Sequence, residues 1–253
     1  MTNRFVYTDD DFDSLEFTHK VAKYAEGQPR DDHGRFASTE GVAEFDSSKF
    51  TNLYGDKLAE FRQRYQETHP VFSRVHEQNP ISDKEATALM HYMGYDHIYI
   101  NPEMRGRGYT FEEGSDKPQM ISDSIRDLSA LIDRSPPLGE DLQLWRGVSA
   151  GYSDTFWSNL QSGDKFTDPA FISTSHMLGS AERGGETMLK IYAPADTKGI
   201  DVEAMRSNNV ADINRNGENE VILQPNTTFE VISNKEVSYD NVRREIQVKV
   251  VKQ

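Results

Sequence analysis

A chain of 253 residues is long enough to bury one large core with appendages and short for two full domains. Its 42 acidic against 28 basic side chains give a net charge of -14, which repels phosphate backbones and anionic lipid and so disfavours nucleic acid and membrane surfaces as partners. The absence of cysteine removes disulfides and thiolate metal sites, no apolar run approaches the ~18 residues of a bilayer span, and Met1-Thr2-Asn3-Arg4-Phe5 leads into Asp9-Asp10-Asp11 without the apolar core of a secretory signal.

Residues 1–47 hold isolated apolar side chains among Asp, Glu, Gly and Ser, with no sustained period of 2 or 3.6, and read as an acidic arm or linker ahead of a single domain over 48–253. Helical patterning starts after it, where Leu58, Phe61 and Tyr65 fall on one face. Ser82-Asp83-Lys84-Glu85 is a capping box before Ala86, Leu89, Met90 and Met93, predicting a second helix that stops near Gly94. Methionines at helical spacing read as core filler. His91 and His97 have no companion at metal-ligand spacing, so no metal site is expected. Ile121, Ile125, Leu128 and Ile132 predict a further helix, stopped by Pro136-Pro137. Gly106, Gly108 and Gly114 punctuate a polar loop that lacks the strand-to-helix context of a phosphate-binding glycine motif.

From Leu142 the period changes to 2. Leu142 and Leu144 flank Gln143, Met188 to Ala193 is an apolar strand, and Phe229-Glu230-Val231-Ile232 and Ile246-Gln247-Val248-Lys249-Val250 alternate. One helix around Ser153 to Leu160, with Tyr152, Phe156 and Leu160 on one face, interrupts the strands. Helices first and a β-rich half second predict an α+β fold, with an N-terminal helical layer followed by a mixed or antiparallel sheet.

Three stretches in this half carry chemistry: Leu144-Trp145-Arg146-Gly147, Phe171-Ile172-Ser173-Thr174-Ser175, and Gly217-Glu218-Asn219-Glu220-Val221-Ile222-Leu223. Read as strands, they bring one arginine, a hydroxyl cluster and two carboxylates toward one cleft. On an extended chain Glu218 and Glu220 leave the same face. Taken singly, each has a plainer explanation: a rim arginine, β-propensity, a solvated sheet face. Taken in order, the set resembles the mono-ADP-ribosyltransferases of the Arg-Ser-Glu class, which carry an aromatic-Arg-Gly strand, a Ser-Thr-Ser strand and a Glu-x-Glu strand. Tyr95…Ile98-Tyr99-Ile100-Asn101…Met104-Arg105-Gly106 is similar to a pattern in that family's helical layer, with Met in place of Leu. The likeness covers roughly residues 50 to 250, and it implies a β-sandwich transferase core.

The resemblance implies NAD as substrate, without metal, and a role for each matching residue. Glu220 would stabilise the positive charge that develops on the ribose when the nicotinamide bond breaks. Ser173 would orient Glu220 by a hydrogen bond. Glu218 would orient the acceptor and remove its proton, and a glutamate there implies arginine on a target protein, since a guanidinium must lose a proton to attack. Arg146 would hold the nicotinamide-side phosphate, and Gly147 would let the backbone approach the carboxamide. Thr174 and Ser175 would shape the same nucleotide cleft. For Asn101 as a nucleotide contact and Arg183 as a second phosphate contact, packing and loop charge are the simpler reading, as packing is for Trp145.

Two departures leave choices open. The loop Ser207 to Gly217, which helps recognise the acceptor protein in the resembled family, has no aromatic residue here. Pro29-Arg30-Asp31-Asp32-His33-Gly34-Arg35-Phe36-Ala37-Ser38 is similar to a short segment of bacteriophage head-associated proteins and equally reads as a charged loop. The alternatives to arginine transfer are an NAD glycohydrolase and a non-catalytic, virion-associated or interaction module on a transferase fold. The protein is expected in the cytoplasm where it is made, delivered into a host cell, or associated with a virion.

Overall fold

The computed structural model describes residues 45–70, 80–148, 154–181, 185–205 and 219–251. Four helices come first: α1 (Gly55–Thr68), α2 (Asp83–Met93), α3 (His97–Met104) and α4 (Lys117–Arg134). Helix α1 buries Leu58, Phe61 and Tyr65, as their spacing requires. The capping box of α2 forms in full: Ser82 Oγ accepts from the Glu85 amide at 3.3 Å, and the Glu85 carboxylate accepts from the Ser82 amide at 2.8 Å. Helix α4 starts with Pro118 in its first turn, where the missing N–H costs nothing, and buries Ile121, Leu128, Leu131 and Ile132. Met90 departs from expectation. It is 55% exposed, because α2 turns Ala88, Leu89 and Tyr92 inward and leaves Met90 on the outer face; Met93 packs at the core margin.

The strands follow: β1 (Leu142–Val148), β2 (Lys165–Asp168), β3 (Ile172–Ser175), β4 (Thr187–Ala193), β5 (Gly199–Asp201), β6 (Glu220–Leu223), β7 (Thr227–Tyr239) and β8 (Val242–Val251). Short helices α5 (Asp154–Asn159) and α6 (Leu178–Ala181) lie between them. They form one mixed sheet in the order β2-β7-β8-β4-β1-β3-β6-β5, with β4 and β8 parallel and every other pair antiparallel. The expected α+β arrangement of a helical layer and a β-half is therefore present. Five strands on one side and three on the other are joined between β1 and β3 by a single residue pair, Trp145 with Ser175. One apolar cluster holds both leaves and the helices, and includes Leu89 and Leu128 from the helices, Leu144 and Ile191 from one leaf, and Ile172 and Val221 from the other.

Several elements lack a sequence signal of their own. Strand β2 alternates between exposed and half-buried residues at a sheet edge, and β5 is three residues long. At Gly199 in β5 an added Cβ would lie 2.8 Å from the Ile222 carbonyl, so that position requires the absent side chain. Phe45, inside the stretch read as an arm, packs on Phe50 and Tyr192 with ring centroids 5.7 and 4.9 Å away. The phage-like segment and Tyr152 lie outside the described residues. Among the described residues no helix is long and apolar enough to cross a membrane, and no group of His, Asp or Glu could hold a metal ion.

Glu85 ties the helical layer together. Burial opposes its ionisation, but Arg134, at 2.6 and 2.9 Å, and Ser82 together outweigh burial and hold its carboxyl below the ordinary value of 4.5. A depressed folded pKa stabilises the fold above the unfolded value and loses that contribution as pH falls through the folded one. Glu85→Gln should cost about 1–3 kcal/mol at pH 7. In denaturant titrations across pH, the gap between the variant and wild type should shrink below pH 4.5.

Candidate active site

The site lies where the two leaves join. Antiparallel register sets Ser175 opposite both Trp145 of β1 and Glu220 of β6, and along the β3–β6 ladder the Ser175 and Glu220 side chains share a face. Ser173, two residues back along β3, points the same way and reaches Glu220 diagonally. Its hydroxyl donates a hydrogen bond to Glu220 Oε1. Glu220 is 8% exposed, so its carboxylate relies on such partners rather than on bulk water. Arg146 Nη1 donates to the Ser173 carbonyl at 2.8 Å. Ser173 thus joins the arginine to the glutamate through its two oxygens.

The remaining hydroxyls serve the strand. Thr174 Oγ1 donates to the Val221 carbonyl at 2.7 Å, and Ser175 Oγ accepts from the Met177 amide at 3.0 Å as the chain turns out of β3. Gly147 pairs with Met188 in the β1–β4 ladder. Trp145 is buried against Ala181, Met188 and Val242, which agrees with a packing role.

The helical layer reaches the same strand. Tyr92 of α2 donates its hydroxyl to the Phe171 carbonyl at 3.2 Å and accepts from Asn101 Nδ2 of α3 at 3.3 Å. Its phenol is pushed up to about 12, first by burial and also by Glu220, while Arg146, the Asn101 hydrogen bond and Arg105 oppose the shift. Charges from β1, β6 and the end of α3 therefore all act on this one ring. Asn101 Oδ1 is buried with no hydrogen-bond partner among the described residues. Just beyond α3, Arg105 makes a two-pronged ion pair with Asp168 at the end of β2, at 3.0 and 2.7 Å. Burial would lower the Arg105 pKa, but Asp168 outweighs it and the group is held firmly charged. Sequence reasoning placed Arg105 in the helical-layer pattern without a role of its own and missed Tyr92, which lies outside that pattern.

Glu218 and Arg183 lie outside the described residues. The shared face expected for Glu218 and Glu220 therefore falls outside the described residues. Strand β6 begins at Glu220, and Asn219 has φ +51°.

With this geometry in view, the profile of the ADP-ribosyltransferase exoenzyme family matches residues 51–253. Among curated proteins none matches the chain by sequence. Among solved structures the chain is similar to the C3 exoenzyme of Clostridium limosum, at TM-score 0.60 and 18% identity over 82% of this chain and 98% of that one. It is likewise similar to an ADP-ribosyltransferase of Clostridium botulinum, at TM-score 0.59 and 16% identity over 80% and 99%. C3stau2 of S. aureus, solved with NAD, matches at TM-score 0.58 and 19% identity over 81% and 100%. At these identities the likeness is one of fold.

Tyr92→Phe removes one hydroxyl and leaves both the Phe171 carbonyl and Asn101 Nδ2 short of a partner. The loss should be about 1–3 kcal/mol in denaturant unfolding. Combined with Asn101→Ala it should be clearly less than additive, because the two changes break one shared hydrogen bond.

Proposed function

We propose, from the premise that this chain belongs to the ADP-ribosyltransferase exoenzyme family, that it transfers ADP-ribose from NAD to an arginine on a target protein and releases nicotinamide. The observation that carries this reading is the chain of contacts from Arg146 through Ser173 to the buried Glu220 carboxylate. The C3stau2 structure with NAD, on the same fold, supports NAD as the substrate.

Cleavage sends the electrons of the ribose–nicotinamide bond out with nicotinamide and leaves the ribose electron-poor. A preorganised carboxylate lowers the energy of that state electrostatically, and does so most strongly where water is scarce. Glu220 meets both conditions. Ser173 keeps the carboxylate in one orientation, at the ribose 2'-hydroxyl. Arg146 matches the nicotinamide-side phosphate with a planar fork of donors, its own orientation fixed by the Ser173 carbonyl. Gly147 leaves room for the carboxamide. Asn101 offers its unpartnered Oδ1 to a donor on the nucleotide, Thr174 and Ser175 hold the strand that shapes the cleft, and Arg183 adds positive charge for the second phosphate.

The acceptor nitrogen then bonds to the ribose carbon and gives up a proton, which Glu218 takes. Arginine as the acceptor rests on that one carboxylate, because a guanidinium is protonated at neutral pH and needs a base. Water needs less such help. An NAD glycohydrolase is therefore the second reading, and a non-catalytic module on the transferase fold the third. The protein acts without metal in this scheme, in the cytoplasm of the cell that makes it or receives it.

Purified protein incubated with labelled NAD, with and without an arginine analogue and a cell lysate, separates these readings. Label on a discrete protein, released by a treatment selective for arginine linkages, is the expected result. Nicotinamide release without label would favour the glycohydrolase, and neither would favour the module. Glu220→Gln keeps the side-chain volume and loses the charge, so both transfer and hydrolysis should fall by roughly a hundredfold or more with the unfolding midpoint little changed. Glu218→Gln should abolish arginine transfer while hydrolysis of NAD persists, measured as nicotinamide release without acceptor.

A further inference from the structure

A second polar cluster lies behind the site, and none of the roles above uses it. At its centre are two side chains with no exposure: His176, just after β3, meets Asp201 of β5, with Nε2 and Oδ2 2.9 Å apart. Burial alone would raise the pKa of the Asp201 carboxyl, but the His176 ring, Arg62 and the Ala204 amide together keep it below the ordinary value, so it stays ionised. An ionised carboxylate can only accept, so Nε2 carries the proton of this contact. Helix α1 covers the pair. Arg62 Nε lies 3.4 Å from Asp201 Oδ2, the Tyr65 hydroxyl accepts from the Asp201 amide at 3.1 Å, and the Phe61 ring meets His176 edge-on with centroids 5.7 Å apart.

Strand β6 runs between β3 and β5, and the pair spans it. The same two places on β3 and β5 supply the hydrogen bonds that start β6. From the β3 side the His176 amide donates to the Asn219 carbonyl at 3.1 Å, and from the β5 side the amide of Val202, the residue after Asp201, donates to the Glu220 carbonyl at 3.0 Å. Both peptide groups of Glu220 are therefore held, one from each neighbouring strand. Asp201 is in register with Val221, so its side chain leaves the sheet on the face opposite to that of Glu220. The carboxylate stands on one face, and the pair ties its backbone from the other.

We propose that His176 and Asp201 are positioning residues for Glu220: their buried contact locks the ends of β3 and β5 together across β6 and so fixes the point from which the Glu220 carboxylate projects. This rests on the transferase reading for the role of Glu220. Ser173 holds the far end of that side chain, at Oε1. The pair holds the near end, through the two peptide groups beside the Glu220 Cα. A displacement of about 1 Å at a reacting group costs up to a hundredfold in rate, so loosening the near end slows bond cleavage even with Ser173 in place. Binding of NAD is affected less, because Arg146 and Asn101 stand on β1 and α3, away from the pair. Loss of an interaction that acts in the transition state lowers kcat and kcat/KM together and leaves KM where it was.

Three variants of the full chain, assayed for nicotinamide release from NAD, test this. His176→Leu deletes the donor to Asp201. His176→Gln restores an N–H at about the reach of Nε2. Asp201→Asn keeps the side-chain volume and removes the charge, and it serves where His176→Leu proves unable to fold. His176→Leu and Asp201→Asn should each lower kcat by about tenfold or more, with KM for NAD within about twofold of wild type, and His176→Gln should recover most of the lost rate. Amide exchange in Asp201→Asn should quicken at His176 and Val202, the two donors to the Glu220 peptide groups, and stay slow in β4. An unchanged kcat in Asp201→Asn, a rise in KM in place of the fall in kcat, a His176→Gln protein as impaired as His176→Leu, or unchanged exchange at His176 and Val202 would overturn the proposal. Wild-type protein that turns over no NAD would refute the transferase reading, and exchange at His176 and Val202 would still decide whether the pair holds the start of β6.

Discussion

The sheet is continuous across its middle by one residue pair, Trp145 with Ser175, and the rest of the architecture depends on that narrow junction. Strands in a broad ladder hold their neighbours at fixed spacing and leave no opening between them. Here β1 is fully paired with β4 along seven positions and touches β3 at one. Five strands and three strands therefore separate on either side of a hinge-like seam. The seam holds Arg146 on one leaf and Ser173 and Glu220 on the other, which is where a nucleotide cleft is needed for the proposed chemistry.

Holding a carboxylate almost out of water at such a seam is costly unless its oxygens are satisfied. The Ser173 hydroxyl meets that need, and the Arg146 guanidinium is drawn to the same residue's carbonyl. The helical layer contributes through Tyr92 and Asn101, which bond to each other, and through Tyr92 to Phe171 just before β3. Arg105 reaches the opposite edge at Asp168. The helical layer is thus tied both to the chain leading into the strand that carries Ser173 and to the sheet edge beyond it. Behind the cleft α1 repeats the strategy, with Arg62, Tyr65 and Gln66 holding β5 and the residues that follow it. The result is a glutamate and its preceding residue fixed by separate sets of contacts.

Element types were legible wherever burial imposes a period. Leu58, Phe61 and Tyr65 announce α1, and Met188 to Ala193 announce β4, because the buried face of a helix or a central strand tolerates little else. Strands β2 and β5 were not legible. One is an edge strand with no buried residue, and the other is too short to show a period. The same limit explains Met90, since spacing alone does not say which flank of an apolar stripe faces the core.

By itself the sequence determined the order of Arg146, Ser173 and Glu220 and their placement on strands, because that motif set and the alternation around it are local properties of the chain. Only the tertiary structure decided which groups meet. Arg62 and Asn219 are 157 residues apart, His176 and Asp201 are 25 apart, and neither pair has a periodic signature. It also decided that the backbone leaves the extended conformation at Asn219, where contacts arrive from Arg62 of α1, from Glu203 after β5 and from His176 after β3. Periodicity reports that a side chain is buried. What it is buried against depends on elements that the chain brings together only on folding.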